Sequence, residues 1–103
     1  MLLFYYYVPE SHITTVNNAL FALGLGQVQE YDSCCWISKG EGQFRPLENS
    51  KPFIGQPGQE NVVKVIEYKV EIICPSDLKT KVINMLKSVH PYEVPAYGFI
   101  NLI

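Results

Sequence analysis

Basic residues are scarce in this 103-residue chain, where eight Lys and Arg stand against ten Asp and Glu for a formal net charge of −2. They form no run along the sequence. A protein that follows a phosphate backbone concentrates Lys and Arg in one stretch or on one face. The scarcity therefore argues against nucleic acid as a partner.

Long apolar runs are also missing. The apolar residues 2–8 have no basic segment before them and are followed by Pro9 and Glu10, so they fit neither a membrane span nor a secretory signal. No membrane partner is expected. Cysteine is limited to three residues, an odd number that argues against a disulfide framework and favours a reducing compartment. We therefore predict a cytoplasmic protein.

Metal-binding patterns are sparse as well. Cys34 and Cys35 are adjacent and would point to opposite faces of a strand, so burial is favoured over a shared metal. His12, one of two histidines, has no Cys or Asp at the spacing of a zinc site. The sequence predicts no metal and no cofactor.

Apolar side chains are plentiful, at 48% of the residues, and aromatic ones reach 13%. A chain of 103 residues is large enough to bury one core and too short for two. We therefore predict a single domain, residues 1–103. Glycine and proline without any periodic pattern indicate one long loop at about residues 39–60.

Periodicity predicts the secondary structure. Short aromatic or alternating segments indicate strands at about residues 2–8, 27–38, 66–72 and 94–103. Apolar residues at three- to four-residue intervals indicate helices between Pro9 and Gly24 and between Pro75 and His90. The order βαββαβ predicts an α+β, ferredoxin-like fold, a four-stranded antiparallel sheet with two helices on one face.

Aromatic residues exceed what one covered face of the sheet requires. An exposed aromatic patch on the opposite face normally marks an interface, so we predict that the protein binds copies of itself, as a trimer or dimer, through this face or through sheet edges. In the alternative interpretation, the long loop folds back over these rings. The candidate interface residues are Tyr5, Tyr7, Tyr31, Trp36, Tyr97 and Phe99.

The segment His90-Pro91-Tyr92-Glu93 follows the second predicted helix and brings an imidazole, a phenol and a carboxylate within four residues. An imidazole beside a carboxylate can move a proton or bind a metal. Alternatively, His90 caps the end of the helix. We take His90, Tyr92 and Glu93 as ligand-binding candidates, and the sequence predicts no catalytic residue.

The long loop supplies further candidates. Its glycines allow close approach of a ligand to the backbone, and its basic residues are able to pair with a phosphate or carboxylate. The spacing matches no nucleotide-binding fingerprint. Turn geometry is the alternative role for these glycines. The candidates in this loop are Gly40, Gly42, Arg45 and Lys51.

Several motifs occur together and in order, namely Gly24-Leu25-Gly26, Tyr31-Asp32-Ser33-Cys34-Cys35-Trp36, Gly40-Glu41-Gly42-Gln43-Phe44-Arg45-Pro46, Pro52-Phe53-Ile54-Gly55 and His90-Pro91-Tyr92-Glu93. Over nearly the whole chain they resemble the inserted domain of the Nif-three-like family, the YbgI and YqfO relatives. The resemblance implies a fold similar to the trimeric CutA and PII-like regulators. It also implies that the family's dinuclear metal ligands belong to a separate domain, which this chain lacks.

These observations favour a homo-oligomeric binding or regulatory module with an unidentified ligand. Two alternatives stay open. One is an enzyme or metal-handling protein with a site between subunits around His90 and Glu93, and the other is a domain that docks on a separate protein partner.

Overall fold

The computed structural model describes the chain from Met1 to Ile103. The elements are β1 (Leu2–Pro9), α1 (Ile13–Ala22), β2 (Trp36–Phe44), β3 (Val63–Cys74), α2 (Lys79–Val89) and β4 (Tyr97–Asn101). One helix follows β1 and the other follows β3, each after a turn of 3-10 helix. The four strands form one antiparallel sheet in the order β2-β3-β1-β4. The predicted α+β, ferredoxin-like arrangement is confirmed.

Strand β1 lies at the centre of the sheet and provides most of its buried surface. Its even-numbered side chains face the helices and are buried, because successive side chains of a strand point to opposite faces. On β3, Val70, Ile72 and Cys74 continue this buried surface. The helices cover it with Val16 and Leu20 from α1 and with Val82 and Leu86 from α2.

Local sequence explains where the helices end. After α1 the chain reaches Gly24 at a φ of 108°, a conformation that favours glycine, and the Gly24 N–H donates to the Phe21 carbonyl at 2.9 Å. Helix α2 ends where His90 turns to extended backbone, with a ψ of 136°, because the residue before a proline avoids the helical conformation.

One polar contact crosses the core. The Tyr6 hydroxyl of β1 donates a hydrogen bond to Asn17 Oδ1 of α1, and both residues are buried. Burial is the main cause that raises the pKa of the Tyr6 phenol, and the nearby Cys35 raises it further. Tyr6 is therefore neutral, and its contact fixes the position of α1 on the sheet.

The second strand lies later in the chain than its pattern predicts. Residues 27–35 form a tight reversal in which Gln29 and Ser33 have positive φ values of 51° and 56°, so Tyr31 lies outside the sheet. Strand β2 continues through Gly40 and Gly42, which the sequence assigned to the loop. The irregular loop accordingly spans residues 45–62 and not 39–60.

Close packing explains why glycine occurs at position 42 of this strand. The Glu67 side chain lies across Gly42, and a Cβ atom at Gly42 would collide with it. A glycine inside a strand often marks such an approach. A pattern that takes glycine as a sign of a turn therefore ends β2 too early.

Two rings predicted for the open face lie on the other side of the sheet. The register pairs Tyr6 with Tyr97 and Phe4 with Phe99, which places both β4 rings on the helix-covered face, where they pack against the core. That face assignment for Tyr97 and Phe99 was wrong, because the strand begins at Tyr97, not Val94, and alternation depends on register. Tyr5, Tyr7 and Trp36 do lie on the open face, paired across β3.

Strands β2 and β3 extend beyond the rest of the sheet. Pairing between β1 and β3 stops at Glu67, so residues 63–66 pair with β2 alone. This two-stranded arm contributes to an elongated molecule with extents of 49 × 25 × 24 Å. Neither helix has the length and apolar character that a membrane crossing requires.

Candidate functional site

His90 occupies the junction between α2, β1 and the segment before β4. Its Nε2 lies 2.7 Å from the Tyr7 carbonyl oxygen, and its Nδ1 accepts a hydrogen bond from the Tyr92 backbone N–H at 3.1 Å. These contacts fit a neutral ring with its proton on Nε2. Both ring nitrogens are therefore engaged by backbone groups.

Burial explains the electrostatics of this histidine. Only 7% of His90 is exposed, and desolvation lowers its pKa below the ordinary value of 6.5, although the Tyr7 carbonyl and the Glu67 carboxylate act in the opposite direction. A neutral ring held in this way fixes the chain between α2 and β4. The contacts thus favour the structural interpretation of His90 over proton transfer or metal binding.

Tyr92 lies on the other side of this junction, with its ring centroid 5.0 Å from that of His90. Its hydroxyl is buried and makes no hydrogen bond of normal geometry. Burial raises the pKa of the Tyr92 phenol, and the hydrogen-bonding and charge of the neighbouring Glu67 carboxylate raise it further. The phenol is neutral and retains hydrogen-bonding capacity beside an acidic group.

The loop of residues 45–62 folds back onto this region. The Lys51 backbone N–H donates to Glu93 Oε1 at 3.0 Å, and the rings of Phe44 and Phe53 lie 6.2 and 6.4 Å from the ring of Tyr92. Together these elements form a half-open cavity of about 300 Å³ at the end of β1. Its lining comprises Tyr7, Gln43, Phe44, Pro46, Ser50, Pro52, Phe53, Ile54, Glu67, Tyr92, Glu93, Val94 and Ala96.

The structure brings some of the predicted ligand-binding candidates together. Tyr92 and Glu93 line the cavity, and His90 packs behind Tyr92. Lys51 contributes its backbone N–H to Glu93, and Gly42 lies beneath Glu67.

Two other candidates are engaged elsewhere or lie apart. The Arg45 guanidinium donates to the Gln59 carbonyl oxygen at 3.3 Å, within the loop and away from the cavity lining. Gly40 has no atom within 4 Å of where a Cβ would lie.

Sequence reasoning missed the acidic residue at the floor of the cavity. Alternation along β3 places Glu67 on the open face, where a carboxylate is expected to be solvated. The residue is instead partly buried beneath the loop. The glycine at position 42 was the available signal, because the Glu67 side chain occupies the space that a larger residue would fill.

No group of three His, Cys, Asp or Glu side chains is arranged to hold a metal ion. Cys34, Cys35 and Cys74 are unpaired. The cavity therefore offers carboxylate, phenol and aromatic groups as its chemistry.

Comparison with known proteins finds relatives that are similar in sequence and in fold. No family profile matches the chain. A GTP cyclohydrolase 1 type 2 homolog from Bacillus subtilis is 40% identical over 91 residues, which are 88% of this chain and 24% of that protein. A protein of the same description from Mycobacterium leprae is 34% identical over 97 residues, 94% of this chain and 25% of that one.

Solved structures show the same fold. A Bacillus cereus protein related to NIF3 superposes with a TM-score of 0.79 at 31% identity, over 98% of this chain and 24% of that protein. CutA1 from Pyrococcus horikoshii superposes with a TM-score of 0.71 at 16% identity, over 99% of this chain and 83% of that one. The second likeness concerns the fold alone.

The chain spans about a quarter of the length of the curated relatives that it matches. The predicted resemblance is confirmed in both sequence and fold. This chain is similar in sequence and fold to one segment of the NIF3-related proteins, and it has the same fold as CutA1.

Proposed function

We propose that the chain is a self-associating binding module whose copies assemble as a trimer or dimer through the open face and the edges of the sheet. The open face carries this proposal. Leu3, Trp36, Ile73, the two adjacent cysteines and one charged residue, Glu71, line a largely apolar depression on that side, and Trp36 is 69% exposed. Exposed aromatic side chains next to an apolar surface are typical of interfaces.

The loop of residues 45–62 leaves this part of the open face accessible. It reaches Tyr7, which lines the half-open cavity, whereas the depression around Trp36 lies at the opposite end of β1, next to Leu3. Tyr5, between the two, is covered by the Tyr7 ring and by the Lys69 ammonium, 5.3 Å from the centre of the Tyr5 ring. A second chain is therefore the natural cover for Trp36.

The sheet edges offer a second means of association. The outer edges belong to β2 and β4, and an unpaired edge strand is a template for another strand. Because every neighbouring pair is antiparallel, β2 and β4 run in opposite directions. β2 of one copy is therefore able to extend the sheet antiparallel to β4 of another.

Such head-to-tail contacts form a closed ring where the rotation between neighbouring copies closes, as in a trimer, whereas pairing of β2 with itself gives a two-fold dimer. The projecting arm of β2 and β3 supports either arrangement, since two strands alone are marginally stable in water. As part of the same proposal, we place the module in the cytoplasm, because its cysteines are free.

The names of the relatives do not assign an activity to this chain, because the match covers about a quarter of each. A site for metal or proton transfer between subunits, centred on His90 and Glu93, has less support. Both nitrogens of His90 bind backbone groups of the same chain.

Light scattering and native mass spectrometry test the proposal directly. We expect a trimer or dimer at micromolar concentrations, and Trp36→Glu should raise its dissociation constant roughly thirtyfold, as for a central tryptophan of an interface. Leu47→Glu is the matched control, since Leu47 is 60% exposed in the loop. A monomeric wild-type protein would refute self-association.

A further inference from the structure

We propose that the half-open cavity beneath the loop binds a small organic molecule carrying a protonated amine. The inference deepens the proposed binding role and does not depend on self-association. Two carboxylates, Glu67 and Glu93, line the cavity, and no Lys, Arg or His side chain does. A cavity with acidic residues and no resident cation favours a positively charged ligand.

Glu67 provides the principal contact for the amine. It projects from β3 across Gly42, on the floor of the cavity and partly shielded from solvent. Charge-assisted hydrogen bonds are stronger than neutral ones, and a partly enclosed carboxylate interacts more strongly than one in water. An ammonium group at this position would neutralise the carboxylate.

The Tyr92 hydroxyl provides a second contact. It is buried beside the cavity and makes no hydrogen bond of normal geometry, but the Glu67 carboxylate lies close enough to act as its hydrogen-bond acceptor, which leaves the phenol oxygen free to accept a hydrogen bond. Glu67 is close enough to contribute to the raised pKa of the Tyr92 phenol. An ammonium group has several N–H donors, so it is able to donate to the carboxylate and to the phenol oxygen together.

Aromatic and apolar side chains complete the recognition. The rings of Phe44 and Phe53 lie within 6.4 Å of Tyr92, and cations are attracted to the faces of such rings. Pro46, Pro52 and Ile54 add an apolar wall for the ligand's carbon skeleton. A volume of about 300 Å³ is at the lower limit of small-molecule sites, which favours a simple amine over a nucleotide.

Three probes of similar shape test the charge preference: 2-phenylethylammonium, 2-phenylethanol and phenylacetate. Isothermal calorimetry should show 2-phenylethylammonium binding at least about tenfold more tightly than the alcohol, with phenylacetate the weakest. Equal affinity for the first two, a preference for phenylacetate, or no binding of 2-phenylethylammonium at about 10 mM would overturn the inference.

Variants locate the contact. Glu67→Gln should lower the affinity for 2-phenylethylammonium by about tenfold or more and leave that for 2-phenylethanol unchanged. Glu71→Gln is the matched control for loss of charge, because Glu71 lies on the same strand and face but outside the cavity. Since Glu71 also borders the depression around Trp36, light scattering checks that this variant keeps the subunit number of the wild type. An equal loss for both probes, or an unchanged ammonium affinity, contradicts the assignment.

Glu67→Asp keeps the charge and should retain part of the ammonium preference; its complete loss would argue against a charge contact. Light scattering on the same samples separates the two proposals. A monomer that binds the ammonium probe refutes self-association alone, whereas an oligomer that prefers the alcohol refutes the amine inference alone.

Discussion

Replacing His90 by Ala removes the connection between β1 and the segment that precedes β4. The Tyr7 carbonyl and the Tyr92 N–H both lose their partner, and the ring, whose centroid is 6.2 Å from that of Tyr6, leaves a void. An unsatisfied buried polar group costs about 1–3 kcal/mol. We therefore expect the free energy of unfolding to fall by about 2–4 kcal/mol, allowing for partial hydration of the freed groups.

For a domain of this size the loss corresponds to a decrease in melting temperature of roughly 10–25 °C. Urea denaturation followed by circular dichroism measures the loss of free energy of unfolding, and thermal denaturation measures the decrease in melting temperature. His90→Asn keeps an acceptor near the position of Nδ1 and should recover part of the loss. His12→Ala is the control, because the His12 ring is partly exposed, its only hydrogen bond is with the adjacent Ser11 hydroxyl, and its remaining aromatic contact is edge-on with Phe53.

The same histidine should make stability depend on pH. Because burial holds the pKa of His90 below 6.5, the unfolded chain takes up a proton first as the pH falls, and the free energy of unfolding decreases below about pH 6.5. Above that pH the contribution is fully present. His90→Asn should lack this part of the pH profile; an unchanged profile, or a loss below about 0.5 kcal/mol for His90→Ala, would refute the structural role.

Two further predictions concern stability, measured by urea denaturation of each variant. Gly26→Ala should destabilise the protein by about 1–3 kcal/mol, because Gly26 has a φ of 73° and an added Cβ would lie 2.6 Å from the Cys34 carbonyl oxygen. The matched variant Gly40→Ala has open space around the added Cβ and should be neutral or stabilising by up to about 1 kcal/mol. Equal effects of the two substitutions would contradict this account. Tyr6→Phe should cost about 1–3 kcal/mol by leaving the buried Asn17 side chain without its donor, whereas Tyr5→Phe, on the open face, should change stability by less than about 0.5 kcal/mol.

The fold could be predicted because its elements have strong local patterns. Four successive aromatic residues before a proline form β1, and the apolar stripe that includes Val82 and Leu86 forms the buried side of α2. The boundaries of β2 could not be predicted in this way. Gly40 and Gly42 resemble turn residues, and only the position of Glu67 across the sheet explains a glycine within the strand.

The site was predicted in part for a similar reason. His90, Tyr92 and Glu93 are adjacent in sequence and were recognised as one cluster. Their partners Tyr7, Glu67 and Phe53 come from three distant segments, which the sheet register and the folded loop bring to the cavity. Face assignment failed for Tyr97 and Phe99 because a shift of one residue in register exchanges the two faces of a strand.

The position of β1 also has a consequence for how the chain folds. This strand is made before both of its neighbours, which lie far along the chain, with Leu2 opposite Cys74 on one side and Asn101 on the other. Contacts between residues so distant in sequence slow folding, because a long loop must close before they form. The aromatic centre of the sheet therefore stays unpaired during synthesis until β3 and β4 emerge, which makes residues 2–9 the segment most exposed to aggregation before folding.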